Sequence, residues 1–252
     1  MKYVNVRIDD VLFDDIYLQK RICELICNII SPTYGMILYK TAENSIVLRD
    51  GEGFFANINN AELALHGITH DNYQDKYEFQ KWSPSRQKDC EVYLQVGKEI
   101  IGSDIFIPPH NYFDRKWANA FAALGYTTIS SSKRDFPAIR SSSEYPVGII
   151  RSDNLTFIPQ TCFVKREYFY SIDNYFYKLF WRIQQYYKKV DIVVLTIHWW
   201  DFIEDGQIDT TFIHAFRSFI EAILQESKEI SLNNAKELVT IGSITSDYFL
   251  IR

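Results

Sequence analysis

The chain has 252 residues, 47% of them hydrophobic and 16% aromatic, and a formal net charge of −5. That length commonly folds as one unit with a large core, so a single domain over residues 1–252 is expected. The acidic balance argues against a nucleic-acid partner, which a basic surface would mark, and no apolar run approaches the ~20 residues of a membrane span.

The opening MKYVNVRIDD has no basic stretch followed by a long apolar one, so no export signal is read and a cytoplasmic location is expected. Tyr3 to Asp9 reads as a strand that ends at the acids, because Val4, Val6 and Ile8 alternate with Asn5, Arg7 and Asp9. Asp14 or Asp15 then starts a helix carrying Ile16, Ile22, Leu25, Ile26 and Ile29, stopped by Ser31-Pro32. Cys23 and Cys27 fall among its apolar residues. With Cys90 and Cys162 they form no CxxC pair, so buried free thiols are expected. Gly35 to Lys40 and Ile46 to Leu48 are short strands, and Ala61 to Leu65 fits strand or helix.

Ser83-Pro84 starts a helix that Gly102 stops. Ile105 to Ile107 is a strand ending at Pro108-Pro109. Asp114 caps a helix with Trp117, Phe121 and Leu124 on one face, closed by Gly125. Tyr126 to Ile129 is a strand, and residues 131–160 read as loops around one strand at Val147 to Ile150. Glu167 to Tyr187 is an aromatic helix, Asp191 to Ile197 a strand, and Thr210 to Leu224 a helix with Phe212, Phe216, Phe219 and Ile223 inward. A final strand is expected near Leu238 to Ile241. This alternation predicts an α/β fold with mostly parallel strands.

The residues that suggest chemistry share one place in that pattern. Asp9 and Asp10, His66, Pro108-Pro109-His110 and His198 each end a strand, and in a parallel barrel the strand C-termini meet at one mouth. His66 and His70, four apart in HGITH, are aimed together by a helical turn or a tight loop. Two imidazoles and one carboxylate hold Zn²⁺ or a similar ion and leave positions open. One acid of the pair binds the metal and the other can then act as a base on water, and a histidine opposite can protonate a leaving group. Trp199, Trp200, Tyr112 and Phe113 flank these phrases as core residues or as platforms for a sugar ring.

Each phrase alone has an ordinary reading. Asp pairs cap helices, HxxxH arises by chance and here lacks the Glu of HExxH, and His198 beside two tryptophans could be a packed core residue. His214, on the polar side of the last long helix, reads as structural.

Taken in order, RIDD, HGITH, FIPPHN and LTIHWW resemble the motifs of the polysaccharide deacetylases, the NodB-homology proteins of carbohydrate esterase family four. The resemblance runs from residue 3 to about residue 202. It implies a distorted (β/α)7 barrel and one divalent metal ion, Zn²⁺ first, with Co²⁺, Ni²⁺ or Mn²⁺ as alternatives. It implies amide hydrolysis that removes an acetyl group from an N-acetylated sugar or oligosaccharide, as in O-antigen or capsule assembly. By motif, Asp10, His66 and His70 resemble the metal ligands, Asp9 the catalytic base and His198 the general acid, with a backbone N–H near His110 at the oxyanion.

The chain also departs from the pattern. The family's third motif carries an arginine, two prolines and a tyrosine, where this chain has Ile107, Pro108, Pro109 and His110. Arg7, two residues before Asp9 and on the same side of the strand, is the candidate substitute for that arginine. The fourth motif is not evident, with Asp135 its only candidate. A metal hydrolase of another amide or ester, or a non-catalytic carbohydrate-binding relative, are the competing readings.

Overall fold

The computed structural model describes residues 1–14, 16–51, 58–72, 76–132, 150–152, 155–166 and 171–241. The strands are β1 (Tyr3–Leu12), β2 (Thr33–Ile37), β3 (Tyr39–Ala42), β4 (Ser45–Leu48), β5 (Glu62–His66), β6 (Ile105–Ile107), β7 (Thr128–Ile129), β8 (Ile150–Ser152), β9 (Leu155–Phe157), β10 (Cys162–Phe163), β11 (Ile192–His198), β12 (Ile203–Glu204), β13 (Gln207–Ile208) and β14 (Lys228–Glu229). The helices are α1 (Tyr17–Cys27), α2 (Pro84–Ile101), α3 (Ala118–Ala123), α4 (Ile172–Tyr187), α5 (Thr210–Leu224) and α6 (Leu232–Ala235).

Eight strands pair in parallel in the order β10-β11-β1-β2-β5-β6-β7-β9, and β8 joins antiparallel to β9 at the edge. The sheet curls on itself: Arg7 in β1 bonds Ser130, just past β7 and four strands away along the sheet. The alternation predicts these mostly parallel strands, and the curled, distorted barrel is the one that the motif resemblance implies.

Strand alternation sorts the apolar residues into two cores. Val4, Val6 and Ile8 of β1 and Val193, Leu195 and Ile197 of β11 pack outward in the larger cluster, against the helices. Ile192 and Val194 point the other way and meet Ala64, Ile105, Ile107 and Ile158 inside the barrel. Ile230, Leu232 and Ala235 from the C-terminal segment join this inner cluster. The polar inner face of β1 lies on the same side, with Asn5, Arg7 and Asp9 all buried. Asn5 donates to Thr33 Oγ1 and to the Ile230 carbonyl, so the inward polar row is tied to this C-terminal plug, Ile230 to Ala235, as well as to the sheet.

Several element limits match the sequence reading because they rest on local chemistry. Ser83 accepts from the Arg86 N–H to cap α2, and Gly102 ends that helix at φ 66°. Asp209 caps α5, whose Phe212, Phe216, Phe219 and Ile223 are buried. Ala61 to Leu65 resolves as strand, and the cysteines are free, with Cys23, Cys90 and Cys162 buried.

Other expectations need correction. β1 does not end at the acids but runs on to Leu12. α1 begins at Tyr17 without a side-chain cap, because the Asp14 carboxylate is taken by Arg49; Asp15 lies outside the described residues. Asp114 caps a 3-10 turn (Arg115–Trp117) that leads into α3, and the strand read from Tyr126 begins at Thr128. Of the strand placed at Val147 to Ile150 only Ile150 is described, in the β8–β9 hairpin, and the helix read from Glu167 is described from Ile172. Leu238 to Ile241 belongs to a 3-10 helix (Lys236–Ile241), not a strand. Leu232, Ala235 and Leu238 recur every third residue and all pack on the inner cluster, and this helical spacing overrides the β-branched content.

Glu62 fastens the plug. Its carboxylate accepts from the Leu232 and Asn233 N–H groups and from Thr33 Oγ1, each at 2.7–2.8 Å. Replacing it leaves these donors without their charged acceptor. Glu62→Ala is therefore expected to lower unfolding free energy by about 2 kcal/mol in urea titrations, and an unchanged midpoint would contradict this account of the plug.

Candidate metal centre

A strand places successive side chains on opposite faces, so Asp9 and Asp10 cannot both face the barrel interior from a regular β1. The register against β2 slips between Ile8 and Val11, and Asp10 sits at φ 59°. This is a β-bulge: one extra residue on β1 turns the second acid back toward the mouth. Asp9 and Asp10 end up on the same side, and both are buried.

Asp10 is the hub. Its Oδ1 lies 2.8 Å from His66 Nε2 and 3.0 Å from His70 Nε2. His66 ends β5; Gly67 at φ 73° and His70 at φ 67° then fold HGITH into a tight turn rather than a helical one. Asp10, His66 and His70 offer three ligand atoms within 4.8 Å of one another. Burial works against charge on His66, but Asp9 and Asp10 outweigh it and raise its pKa above the usual histidine value. Burial likewise works to raise the Asp10 carboxyl, and the bonds from His66 and His70 hold it far below the ordinary range.

The donor set suits a divalent cation. His66 Nδ1 lies 2.9 Å from the Ile107 carbonyl, which accepts a hydrogen bond from Nδ1 and aims Nε2 at Asp10, so Nε2 becomes a ligand atom when an ion takes the place of the proton it shares with Asp10 Oδ1. That nitrogen, the second imidazole and a carboxylate converge on one point, where a divalent cation can take the place of the shared protons. Two nitrogens and one oxygen match the donor types of open zinc sites.

Supporting groups surround this centre. Arg7, fully buried, donates Nε to Asp9 Oδ1 and Nη2 to Asp9 Oδ2, both at 2.8 Å. Its remaining N–H groups reach Ser130 and Asn111. Gly35 lies between Asp9 and His66, where an added Cβ would stand 3.3 Å from each. The buried Glu78 accepts from the Ile68 N–H at 2.8 Å and the Thr69 N–H at 3.1 Å, which clamps the turn between the two histidines. Gly67 is required there, because a Cβ would meet Pro109 and the Glu78 carboxylate at 2.3–2.4 Å.

His198 ends β11 with Nε2 3.3 Å from Asp10 Oδ2 and Nδ1 3.5 Å from Asp201 Oδ2. Asp201 is buried and also accepts from the His198 and Arg166 backbone N–H groups. Trp200 stacks on the His198 ring at 4.4 Å, and Phe163 meets it edge-on. Trp199 Nε1 donates to the Asp10 carbonyl at 2.9 Å. His110, at φ 55°, stacks on Tyr77 and meets His70 at a tilt, and Tyr112 stacks on Tyr77 in turn. Burial, with His70 adding to it, pushes the His110 imidazole down to about 4, so it stays neutral at physiological pH.

The structure thus brings Arg7, Asp9, Asp10, His66, His70, Pro109, His110, His198, Trp199 and Trp200 to one end of the barrel. Phe113 is a core residue instead, and Asp135 lies outside the described residues. The sequence reading did not single out Glu78, Asn111, Ser130, Tyr77 or Asp201. Only Asp201 had a signal, as the acid closing HWWD three residues after the histidine. His214 is exposed on α5, apart from the centre.

No family model matches the chain, and no curated protein matches it by sequence. Solved structures match by shape. A protein from Mycobacterium smegmatis described as a polysaccharide deacetylase aligns over 93% of this chain and 89% of its own, with a TM-score of 0.61 at 14% identity. The 4-alpha-glucanotransferase from Thermococcus litoralis aligns over 94% of this chain at a TM-score of 0.58 and 9% identity; this chain spans 40% of its length. Identities this low speak for the fold alone. The names of the two neighbours differ in chemistry, so function has to be argued from the site.

The Glu78 clamp makes a measurable claim. Glu78→Gln keeps the shape but offers only one acceptor oxygen to the two N–H groups. Its Zn²⁺ affinity, read by chelator competition, is expected to fall about 10- to 100-fold; wild-type affinity would show that the turn holds without it.

Proposed function

We propose that this chain is a divergent relative of the polysaccharide deacetylases, a metal-dependent hydrolase that cleaves the C–N bond of an N-acetylated sugar and releases acetate. The observation that carries the reading is the convergence of Asp10, His66 and His70, with Asp9 and His198 close by. Asp10, His66 and His70 would hold the ion, Zn²⁺ first among those suited to two imidazoles and a carboxylate. When bound, such an ion supplies Lewis acidity at the acyl oxygen and acidifies water.

The protein's own groups then have distinct tasks. Each Asp9 oxygen takes one Arg7 N–H and keeps a lone pair, so Asp9 can accept the proton of the attacking water while its orientation stays fixed. His198 Nδ1 faces Asp201, which leaves Nε2 to pass a proton to the nitrogen as the C–N bond breaks. The His110 N–H heads a 3-10 turn, where no partner within the turn is available, and is the amide suited to the developing oxyanion. Arg7 offsets the loss of the usual motif arginine, which supports the catalytic reading over a binding-only relative. Asp201 holds His198 from within the same loop, through the His198 backbone N–H and beside Nδ1.

The aromatic residues divide by which ring faces are free. Tyr77 is stacked between His110 and Tyr112, and His110 is tilted against His70, so these rings are engaged with one another. Trp199 is held by its bond to Asp10. Trp200 covers His198 with one face and is 42% exposed, so its outer face is the platform for a pyranose ring. The motif resemblance extends the proposal to a cytoplasmic intermediate of surface-polysaccharide assembly, such as O-antigen or capsule.

Acetate release from a panel of N-acetylated sugar nucleotides and oligosaccharides, with metal stripped and restored, tests the reading. Metal-dependent release is expected; activity confined to non-sugar amides would select the competing hydrolase. Asp9→Asn should bind metal as the wild type does and lose turnover by about 10²- to 10⁴-fold, and wild-type rates would remove Asp9 as the base. Trp200→Ala should raise KM for sugar substrates about tenfold or more and leave a small acetamide unaffected. An equal loss on both would assign Trp200 to His198 alone.

A further inference from the structure

Away from the metal centre, α4 and α5 flank a cavity of about 700 Å³. Phe176, Tyr177, Phe180, Trp181, Phe219 and Ala222 supply most of its apolar wall, and it shares no residue with the metal centre. The outer stripe of α4 continues this wall into solvent. Tyr177 is 64% and Trp181 51% exposed, and they follow each other at helical spacing.

The charges beside this stripe, and just past the end of α4, are mostly of one sign. Residues 172–189 carry four cations, Lys178, Arg182, Lys188 and Lys189, against the single acid Asp173, in a chain whose net charge is −5. All four cations are exposed, and none forms an ion pair among the described residues. An ordinary solvent face mixes both signs and keeps large aromatics out. Exposed Trp and Tyr interleaved with Lys and Arg suit a bilayer interface instead. The rings lie at headgroup level and the long cationic side chains reach acidic headgroups. No helix among the described residues is long and apolar enough to cross a membrane, so the fit is to a surface and not to a span.

We propose that the α4 face docks on an anionic membrane surface. Tyr177 and Trp181 enter the headgroup layer, and Lys178, Arg182, Lys188 and Lys189 pair with acidic phospholipids. Across the groove the exposed acids are Glu221 of α5 and Glu226 just after it; with Asp173 that is three acids against the four cations, which leaves the face positive by one charge in an otherwise acidic chain. The binding is peripheral and reversible, because a few surface cations and two rings give a weak, salt-sensitive attachment. This inference rests on the surface alone and does not depend on the reaction assigned to the metal centre.

The test is co-sedimentation of the full chain with vesicles of phosphatidylglycerol mixed into phosphatidylcholine, and with vesicles of phosphatidylcholine alone. Binding to the anionic vesicles, weakened by added salt, is expected, with little binding to the neutral ones. The double variant Lys178→Glu/Arg182→Glu and the single variant Trp181→Ala should each lose about tenfold or more in partitioning. Thermal melts of the charge variant should stay close to the wild type, since Lys178 and Arg182 are exposed, and circular dichroism should show Trp181→Ala folded. Failure to bind anionic vesicles, equal binding to both kinds, or undiminished binding by both variants would overturn the proposal. So would a dimer in sedimentation equilibrium that Trp181→Ala dissociates, which would assign the face to a second copy of the chain.

Discussion

Two adjacent aspartates can serve one site from a strand only if the strand breaks its own alternation. The bulge after Ile8, with Asp10 at φ 59°, is that break, and the arrangement at the mouth depends on it. Asp9 continues the inward row of Asn5 and Arg7 and stays with the arginine. Asp10, which would otherwise face the helices, is turned to meet His66, His70 and His198. A left-handed conformation at a non-glycine residue is unfavourable, and such residues persist where the surroundings over-determine them. Here the surroundings are parallel ladders on both sides of β1.

The same constraint decides how the buried charge is managed. Arg7, Asp9, Asp10 and His66 lie inside the barrel, where isolated charges are costly and must be paired. Arg7 answers Asp9 with two bonds from the same strand and spends its other donors on Ser130 and Asn111, so the loops after β6 and β7 are tied to β1. Asp10 is answered by imidazoles, which a cation can replace as its partner. The site thus separates a carboxylate that is locked in place from one that can take a metal. Each functional group is held by a neighbour in sequence: Asp9 by Arg7 two residues earlier, His198 by Asp201 three residues later, and the histidine turn by Glu78 eight residues after His70.

Much of this was legible in the sequence where the chemistry is local. The polar row Asn5, Arg7, Asp9 inside apolar alternation predicted both the barrel interior and the reach of Arg7, because period two leaves no other face. Ser83-Pro84, Gly102 and the apolar stripe of Thr210 to Leu224 set their helix limits by capping and periodicity. The bulge was not legible, since one inserted residue looks like the end of a strand once alternation fails, and β1 was therefore read as stopping at Asp9. Glu78 was hidden for another reason: an acid in an irregular stretch looks solvated until the backbone N–H groups it accepts from are placed in space. Leu238 misled because β-branched neighbours resemble a strand, whereas the inner cluster rewards its three-residue spacing with Leu232 and Ala235.

The central claim is that the bulge delivers Asp10, and not Asp9, to a divalent ion beside His66 and His70. Anomalous diffraction from crystals of the protein loaded with Zn²⁺ or Co²⁺ tests it most directly. The account predicts one peak, bonded to an Asp10 carboxylate oxygen and to Nε2 of His66 and of His70, with Asp9 still gripped by Arg7. A peak ligated by Asp9, or no peak between the two histidines, would contradict it.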